Sequence, residues 1–126
     1  MKTKVLIIDD SSYMRGKVRA LLKDDNFEID EAENGMKALQ MTAAKIFDVI
    51  LLDIIMPGID GLKVLAALTA ERPTSPVIIV TADIQESVVN QCITLGAKAV
   101  LHKPPKEEEL LQAVREALGP GGGIDR

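Results

Sequence analysis

Three aspartates, a threonine and a lysine each stand directly behind a short apolar run in this chain. Val5-Leu6-Ile7-Ile8 leads into Asp9-Asp10, and Val49-Ile50-Leu51-Leu52 leads into Asp53. Val77-Ile78-Ile79-Val80 leads into Thr81, and the weaker run Ala99-Val100-Leu101 leads through His102 to Lys103. If the runs are buried parallel strands, all of these groups emerge at the carboxyl edge of one sheet, where open α/β sheets bind ligands. Carboxylates converging there repel one another and raise each other's pKa values unless a cation intervenes. Mg2+ suits such a set, because it takes oxygen ligands, keeps several waters, and needs only a few carboxylates plus a phosphate oxygen. Beside the cation, Asp53 can act as a nucleophile toward phosphorus and form an acyl phosphate. Lys103 can then neutralise charge on the equatorial oxygens. The Thr81 hydroxyl can hydrogen-bond a phosphoryl oxygen, and the small Ala82 leaves room for the incoming group. One Asp at a strand end is equally well a cap or turn former, and Thr81 alone is equally well a β-branched strand residue. The whole set at corresponding strand ends favours a site.

The elements that must position these groups alternate five times between strand and helix. Met14, Val18, Leu21 and Leu22 recur at helical spacing after the first run, with Ser11 or Ser12 as N-cap. Phe27, Ile29 and Ala32 mark a second strand that Glu28, Asp30 and Glu31 interrupt, the pattern of an edge strand with one face toward water. Asn34-Gly35 opens a helix carrying Met36, Leu39 and Ala43, and Met56-Pro57-Gly58 makes a turn after Asp53. Leu62, Leu65 and Leu68 stripe the next helix, and Val88, Cys92 and Leu95 the one after, which Gly96 ends. The last helix, near Lys106–Leu118, places Leu110, Leu111, Val114 and Leu118 on its apolar side. The pattern predicts an α/β fold: a flavodoxin-like (βα)5 three-layer sandwich with a parallel five-stranded sheet in the order 2-1-3-4-5. The first, third and fourth strands are the most uniformly apolar and should be central.

Composition narrows the classes of function. The 126 residues fit one domain, and with 47% hydrophobic and 27% charged residues the chain has the balance of a folded globular protein. No Trp, one Tyr and two Phe make the core aliphatic and leave no stacking platform for single-stranded nucleic acid. A net charge of −4 argues against direct binding of a phosphate backbone. The lone Cys92 excludes a disulfide framework or a Cys-based zinc site and reads as a small buried hydrophobe. Neither a signal peptide nor a membrane-spanning run is expected, so the location expected is cytoplasmic. Gly119-Pro120-Gly121-Gly122-Gly123 follows a helix rather than joining a strand to one, which excludes a phosphate-binding glycine fingerprint and suggests a flexible tail.

At the motifs Ile8-Asp9-Asp10-Ser11, Leu52-Asp53, Met56-Pro57-Gly58-Ile59-Asp60-Gly61, Thr81-Ala82 and Lys103-Pro104 the chain resembles the receiver domain of two-component response regulators, most of all the single-domain chemotaxis type. The resemblance spans roughly Lys4 to Leu118, and it implies a receiver domain over residues 1–118 with a flexible Gly-rich tail over 119–126. It implies that a histidine kinase offers phosphohistidine and that Asp53 takes the phosphoryl group. Asp9, Asp10, Asp53 and the backbone carbonyl of Ile55 would organise Mg2+, and Lys103 and Thr81 would contact the phosphoryl group. The Lys103–Pro104 bond would be cis. The face of the fourth helix, fifth strand and fifth helix would change its affinity for a downstream target protein or phosphatase. Such a protein is not an enzyme in the ordinary sense, although it would catalyse its own phosphorylation and dephosphorylation, and a monomer is expected.

Three positions depart from the family pattern. Val100 stands where an aromatic switch residue is usual, and an aliphatic side chain cannot swing a ring inward. Ile55 stands where chemotaxis examples often carry a polar residue, so water access to the acyl phosphate should differ. Pro105, at a position often aromatic, should stiffen the loop into the last helix. His102 is expected to be a half-exposed edge-strand residue pointing away from its neighbours' face, and Glu107-Glu108-Glu109 to cap the last helix through its dipole. A phosphate sink or intermediate phosphocarrier is an alternative role within the family. A haloacid dehalogenase-type phosphatase is the rival from another class, but its motif needs an acid/base Asp two residues after the nucleophile, where this chain has Ile55. A flavin binder would fit the fold but not the sparse aromatics or the absence of a hydroxyl-rich phosphate loop.

Overall fold

The computed structural model describes residues 2–23 and 26–119, so the expected tail beyond Gly119 lies outside the described residues. Strands β1 (Thr3–Ile8), β2 (Phe27–Ala32), β3 (Val49–Leu52), β4 (Val77–Thr81) and β5 (Ala99–His102) alternate with helices α1 (Ser12–Leu21), α2 (Gly35–Ala44), α3 (Gly61–Glu71), α4 (Glu86–Thr94) and α5 (Glu107–Leu118). The strands pair in parallel in the order β2-β1-β3-β4-β5. The uniformly apolar β1, β3 and β4 take the centre because helices cover both of their faces, and β2 and β5 are the edges.

Strand alternation divides the core in two. Leu6, Ile8, Ile50, Leu52, Val77 and Ile79 pack on one side with Ala38, Val64, Leu65, Leu68 and Cys92 from α2, α3 and α4. Val5, Ile7, Val49, Leu51, Ile78 and Val80 pack on the other with Val18 of α1 and Leu110, Ala113 and Val114 of α5. Burying each of the larger aliphatic side chains is worth about 1.5–3 kcal/mol, and a one-residue slip would exchange the two sets. Packing therefore fixes the register, and the register fixes the site: Ile8 lies opposite Leu52, so Asp9 and Asp53 leave adjacent strands at one level.

Three helices begin at that edge with side-chain caps. Ser11 accepts from the Met14 N–H, Asn34 from Lys37 and Asp60 from Leu62. At the far end of α4, Gly96 (φ 105°) takes the left-handed conformation. The Ala97 N–H then bonds the Cys92 carbonyl and the Gly96 N–H that of Ile93, both at 3.0 Å, a Schellman ending. Gly61 is required by close approach, since a Cβ there would run into the Ile54 backbone.

One local expectation changes. On α2 the buried residues are Gly35, Ala38 and Thr42, whereas Met36 is 60% exposed and Ala43 is exposed. Ile59 and Val64 crowd against Gly35, so small residues face inward where the helix packs closely. Glu107, Glu108 and Glu109 occupy the first turn of α5, where acidic side chains favour the helix dipole as expected.

Candidate functional site

Asp9 and Asp53 are buried at 5% and 4% exposure, and Asp10 is exposed beside them. One carboxylate oxygen from each of Asp9, Asp10 and Asp53 lies within 4.8 Å of the others. Lys103 Nζ sits 2.7 Å from both Asp9 Oδ2 and Asp53 Oδ2. The remaining oxygens are held by backbone: Asp9 Oδ1 accepts from the Ser11 N–H at 2.8 Å, and Asp53 Oδ1 from the Ile55 N–H at 2.9 Å. The Lys103 N–H bonds the Thr81 carbonyl at 2.9 Å, and its peptide to Pro104 is cis.

Burial pushes the Asp53 carboxyl above its ordinary pKa, more than the Lys103 and Ile55 hydrogen bonds pull it down. Burial also opposes the charged form of Lys103, but its bonds to Asp53 and Asp9 outweigh this and leave its pKa raised. One ammonium thus faces three carboxylates, a formal imbalance of two negative charges if all ionise. That deficit, with hard oxygen donors within reach of one another, fits a divalent cation of the magnesium class.

Thr81 is fully buried at the end of β4. Its Oγ1 accepts from the Asp83 N–H at 3.2 Å, which leaves its O–H free to donate. Ala82 follows in the exposed β4–α4 loop. Register brings both residues to the same edge as the carboxylates. Ile55 offers an N–H to Asp53 and a hydrocarbon side chain that is 52% exposed. No proton can be exchanged there, which disfavours dehalogenase-type hydrolysis. His102 is exposed rather than half-exposed, because β5 is an edge and the chain turns away at Pro104. Val100 packs partly buried against the α2–α4 side of the core.

Arg15 is a neighbour that sequence reasoning did not find. Its guanidinium donates to the Asp9 carbonyl at 2.6 Å and to Glu31 at 2.8 Å. The available signal was a basic residue one turn after the Ser11 cap, on the helix that follows the aspartates.

A parallel (βα)5 sheet in this strand order is the flavodoxin-like fold of CheY-like receiver domains, and here it carries an acidic cluster and a lysine at its carboxyl edge. The response regulator receiver domain matches residues 5–115, and the chain belongs to that family. Its function is phosphorylation-switched two-component signalling; it is not a classical enzyme. Chemotaxis protein CheY of Listeria monocytogenes is 38% identical over 115 residues, covering 90% of this chain and 97% of its own. The chemotaxis response regulator CheY4 of Vibrio cholerae superposes with a TM-score of 0.84 at 29% identity, covering 94% of this chain and 100% of that one. A Burkholderia pseudomallei response regulator solved with a phosphorylated aspartic acid and a calcium ion has a TM-score of 0.83 at 25% identity, covering 90% of this chain and 67% of that one. Among the described residues, no helix is long and apolar enough to cross a membrane.

Proposed function

We propose that Asp53 accepts a phosphoryl group from the phosphohistidine of a partner kinase, and that the resulting acyl phosphate switches the protein's affinity for a downstream protein. The observation that carries this is Lys103 Nζ at 2.7 Å from both Asp9 and Asp53, with Asp10 in the same cluster. Two backbone N–H groups and Lys103 fix the carboxylate planes, so Asp53 is held ready with little to reorganise. A carboxylate oxygen of Asp53 forms the new O–P bond while the donor P–N bond breaks. Its electron pair remains on the imidazole, which takes up a proton. Lys103 then turns from Asp53 toward the phosphoryl oxygens, whose charge it neutralises. The Thr81 O–H donates to one of them, and Ala82 leaves space beside it.

Asp9, Asp10, Asp53 and the Ile55 carbonyl would hold Mg2+, which when bound supplies positive charge to the transferring phosphoryl oxygens. The phosphorylated aspartic acid and cation of the Burkholderia protein are the chemistry this assignment expects. Thr81 engaging the phosphoryl group would disturb its bond to Asp83 and hence the start of α4. The surface that changes is the groove of about 530 Å3 between α4, β5 and α5, with Ile84, Val100, His102 and Glu109 among its lining. Phosphorylation shifts populations only by binding the active arrangement better than the inactive one.

The test is intact mass after incubation with Mg2+ and a small phosphodonor, for the wild type and Asp53→Asn. A single Mg2+-dependent phosphoryl adduct that Asp53→Asn lacks is expected, and an adduct retained in Asp53→Asn would overturn the assignment.

A further inference from the structure

Asp9 and Asp53 each have both carboxylate oxygens engaged, by Lys103 and by a backbone N–H. Asp10 has no such anchor among the described contacts and is exposed, so its side chain is aimed by its backbone alone. The peptide that aims it is the one joining Asp9 to Asp10, and its carbonyl accepts from Arg15 Nη1 at 2.6 Å. Arg15 is itself held. Its Nε bonds Glu31 Oε1 at 2.8 Å, its side chain is only 14% exposed, and Arg19 bonds the other oxygen of Glu31 at 2.8 Å. The planar guanidinium spans both acceptors at once, which a lysine ammonium on a flexible stem does less well.

We infer that Arg15 is a positioning residue for the cation site: by clamping the Asp9–Asp10 peptide between α1 and β2, it orients Asp10 toward the cation. This rests on the Mg2+ reading above. Groups that orient metal ligands are commonly worth about 10–100-fold in affinity. Arg15 also brings a positive charge toward the site, but Glu31 lies between its two arginine partners and offsets it locally. Orientation rather than repulsion should therefore decide the sign of its effect.

The experiment is Mg2+ titration by calorimetry on the full chain, as wild type, Arg15→Gln, Arg19→Gln, Asp10→Asn and the double variant Arg15→Gln/Asp10→Asn, each checked for folding by circular dichroism. Arg15→Gln should bind Mg2+ about tenfold more weakly. Arg19→Gln, which loses the same Glu31 partner without touching the Asp9 carbonyl, should stay within about twofold of wild type. The double variant should bind no more weakly than Asp10→Asn alone, because Arg15 acts through Asp10. Unchanged affinity in Arg15→Gln, or effects that multiply in the double variant, would overturn the inference. Should Arg15→Gln not fold, Arg15→Lys keeps the charge and stem, and wild-type affinity in it would overturn the clamp equally. No Mg2+ binding by the wild type would instead remove the cation reading, and this inference with it.

Discussion

Glu28, Asp30 and Glu31 on β2 and the aspartates at the carboxyl edge are both acidic groups paired with cations, on opposite terms. On β2 the charges balance in total, three cations against three carboxylates: Lys45 lies 3.0 Å from Glu28 and 2.8 Å from Asp30, and Arg15 and Arg19 both grip Glu31. The Lys45 hydrogen bond lowers the pKa of Glu28, and for Glu31 the two arginine bonds overcome the opposing effect of burial. At the site burial wins, and the Asp53 pKa is raised although Lys103 touches it. The edge strand is electrostatically finished, whereas the site holds negative charge that the fold leaves for a cation to complete. A structural ion pair and a functional cluster differ here in that residual charge more than in their distances.

The same substitution on the two lysines should break the symmetry most visibly. Lys103→Met removes the one ammonium from two buried carboxylates, leaving uncompensated buried charge. It should slow Mg2+-dependent adduct formation by about 10²-fold and destabilise the metal-free protein by about 2 kcal/mol, with part of that recovered on adding Mg2+. Lys45→Met removes two pairs that solvent reaches, which are worth little. Its adduct rate and its urea midpoint should both stay close to wild type. Equal destabilisation by the two variants would show that the site's charge is no less settled than that of β2.

Asp53→Asn should move stability the other way. A folded-state pKa above the ordinary carboxyl value means that the ionised group costs stability at neutral pH. The neutral amide should therefore stabilise the metal-free protein, seen as a higher melting temperature than that of the wild type. It should also lose the stabilisation that Mg2+ gives the wild type. A lower melting temperature without metal would mean that the Lys103 pair outweighs the burial of Asp53.

Acid should separate the two regions by sign. Glu28 and Glu31 have lowered pKa values, so their contribution is present above the ordinary carboxyl value of 4.5 and is lost as pH falls through their folded values. Asp53 has a raised value, so stability that is missing at neutral pH returns as pH falls through its folded pKa toward 3.8. Urea unfolding of the metal-free protein should show stability flat from pH 7 to the folded pKa of Asp53, below which Asp53 contributes a rise and, under 4.5, the two glutamates a fall. Asp53→Asn should remove the rise and keep the fall.

Much of this was legible in the chain because two periodicities agree. Four-residue apolar runs such as Val49–Leu52 can be buried on both faces only as central parallel strands, and that placement brings Asp9, Asp53 and Lys103 to one edge. The strand order and the capping role of Ser11 follow from the same local logic. Less legible were features that depend on what a neighbour occupies. Met36 is apolar and at helical spacing, yet α2 turns Gly35 and Ala38 inward because Ile59 and Val64 leave no room for larger groups. Little in the sequence marks Arg15, since its two acceptors, the Asp9 carbonyl and Glu31, meet it only once β2 lies beside β1. Neither the sharing of Lys103 between Asp9 and Asp53 nor the Asp83 N–H on Thr81 has a sequence pattern.

Ile55 carries the smallest effect and tests where the site ends. Its N–H orients Asp53, and its side chain is 52% exposed. A hydrocarbon there cannot position an attacking water, and its bulk excludes some of the water that could approach the acyl phosphate. Ile55→Asn keeps the backbone donor while offering a side-chain amide that can hold water by hydrogen bonds. Phosphorylation of Asp53 should proceed at a similar rate in the variant, because the groups that bind the phosphoryl oxygens are untouched. Loss of the adduct, followed by mass after removing the phosphodonor, should be faster by roughly threefold to tenfold, the scale of one positioned hydrogen bond of about 1 kcal/mol. Equal decay rates would confine control of the lifetime to Asp9, Asp10, Thr81 and Lys103, and leave Ile55 as a backbone donor whose side chain is indifferent to the chemistry.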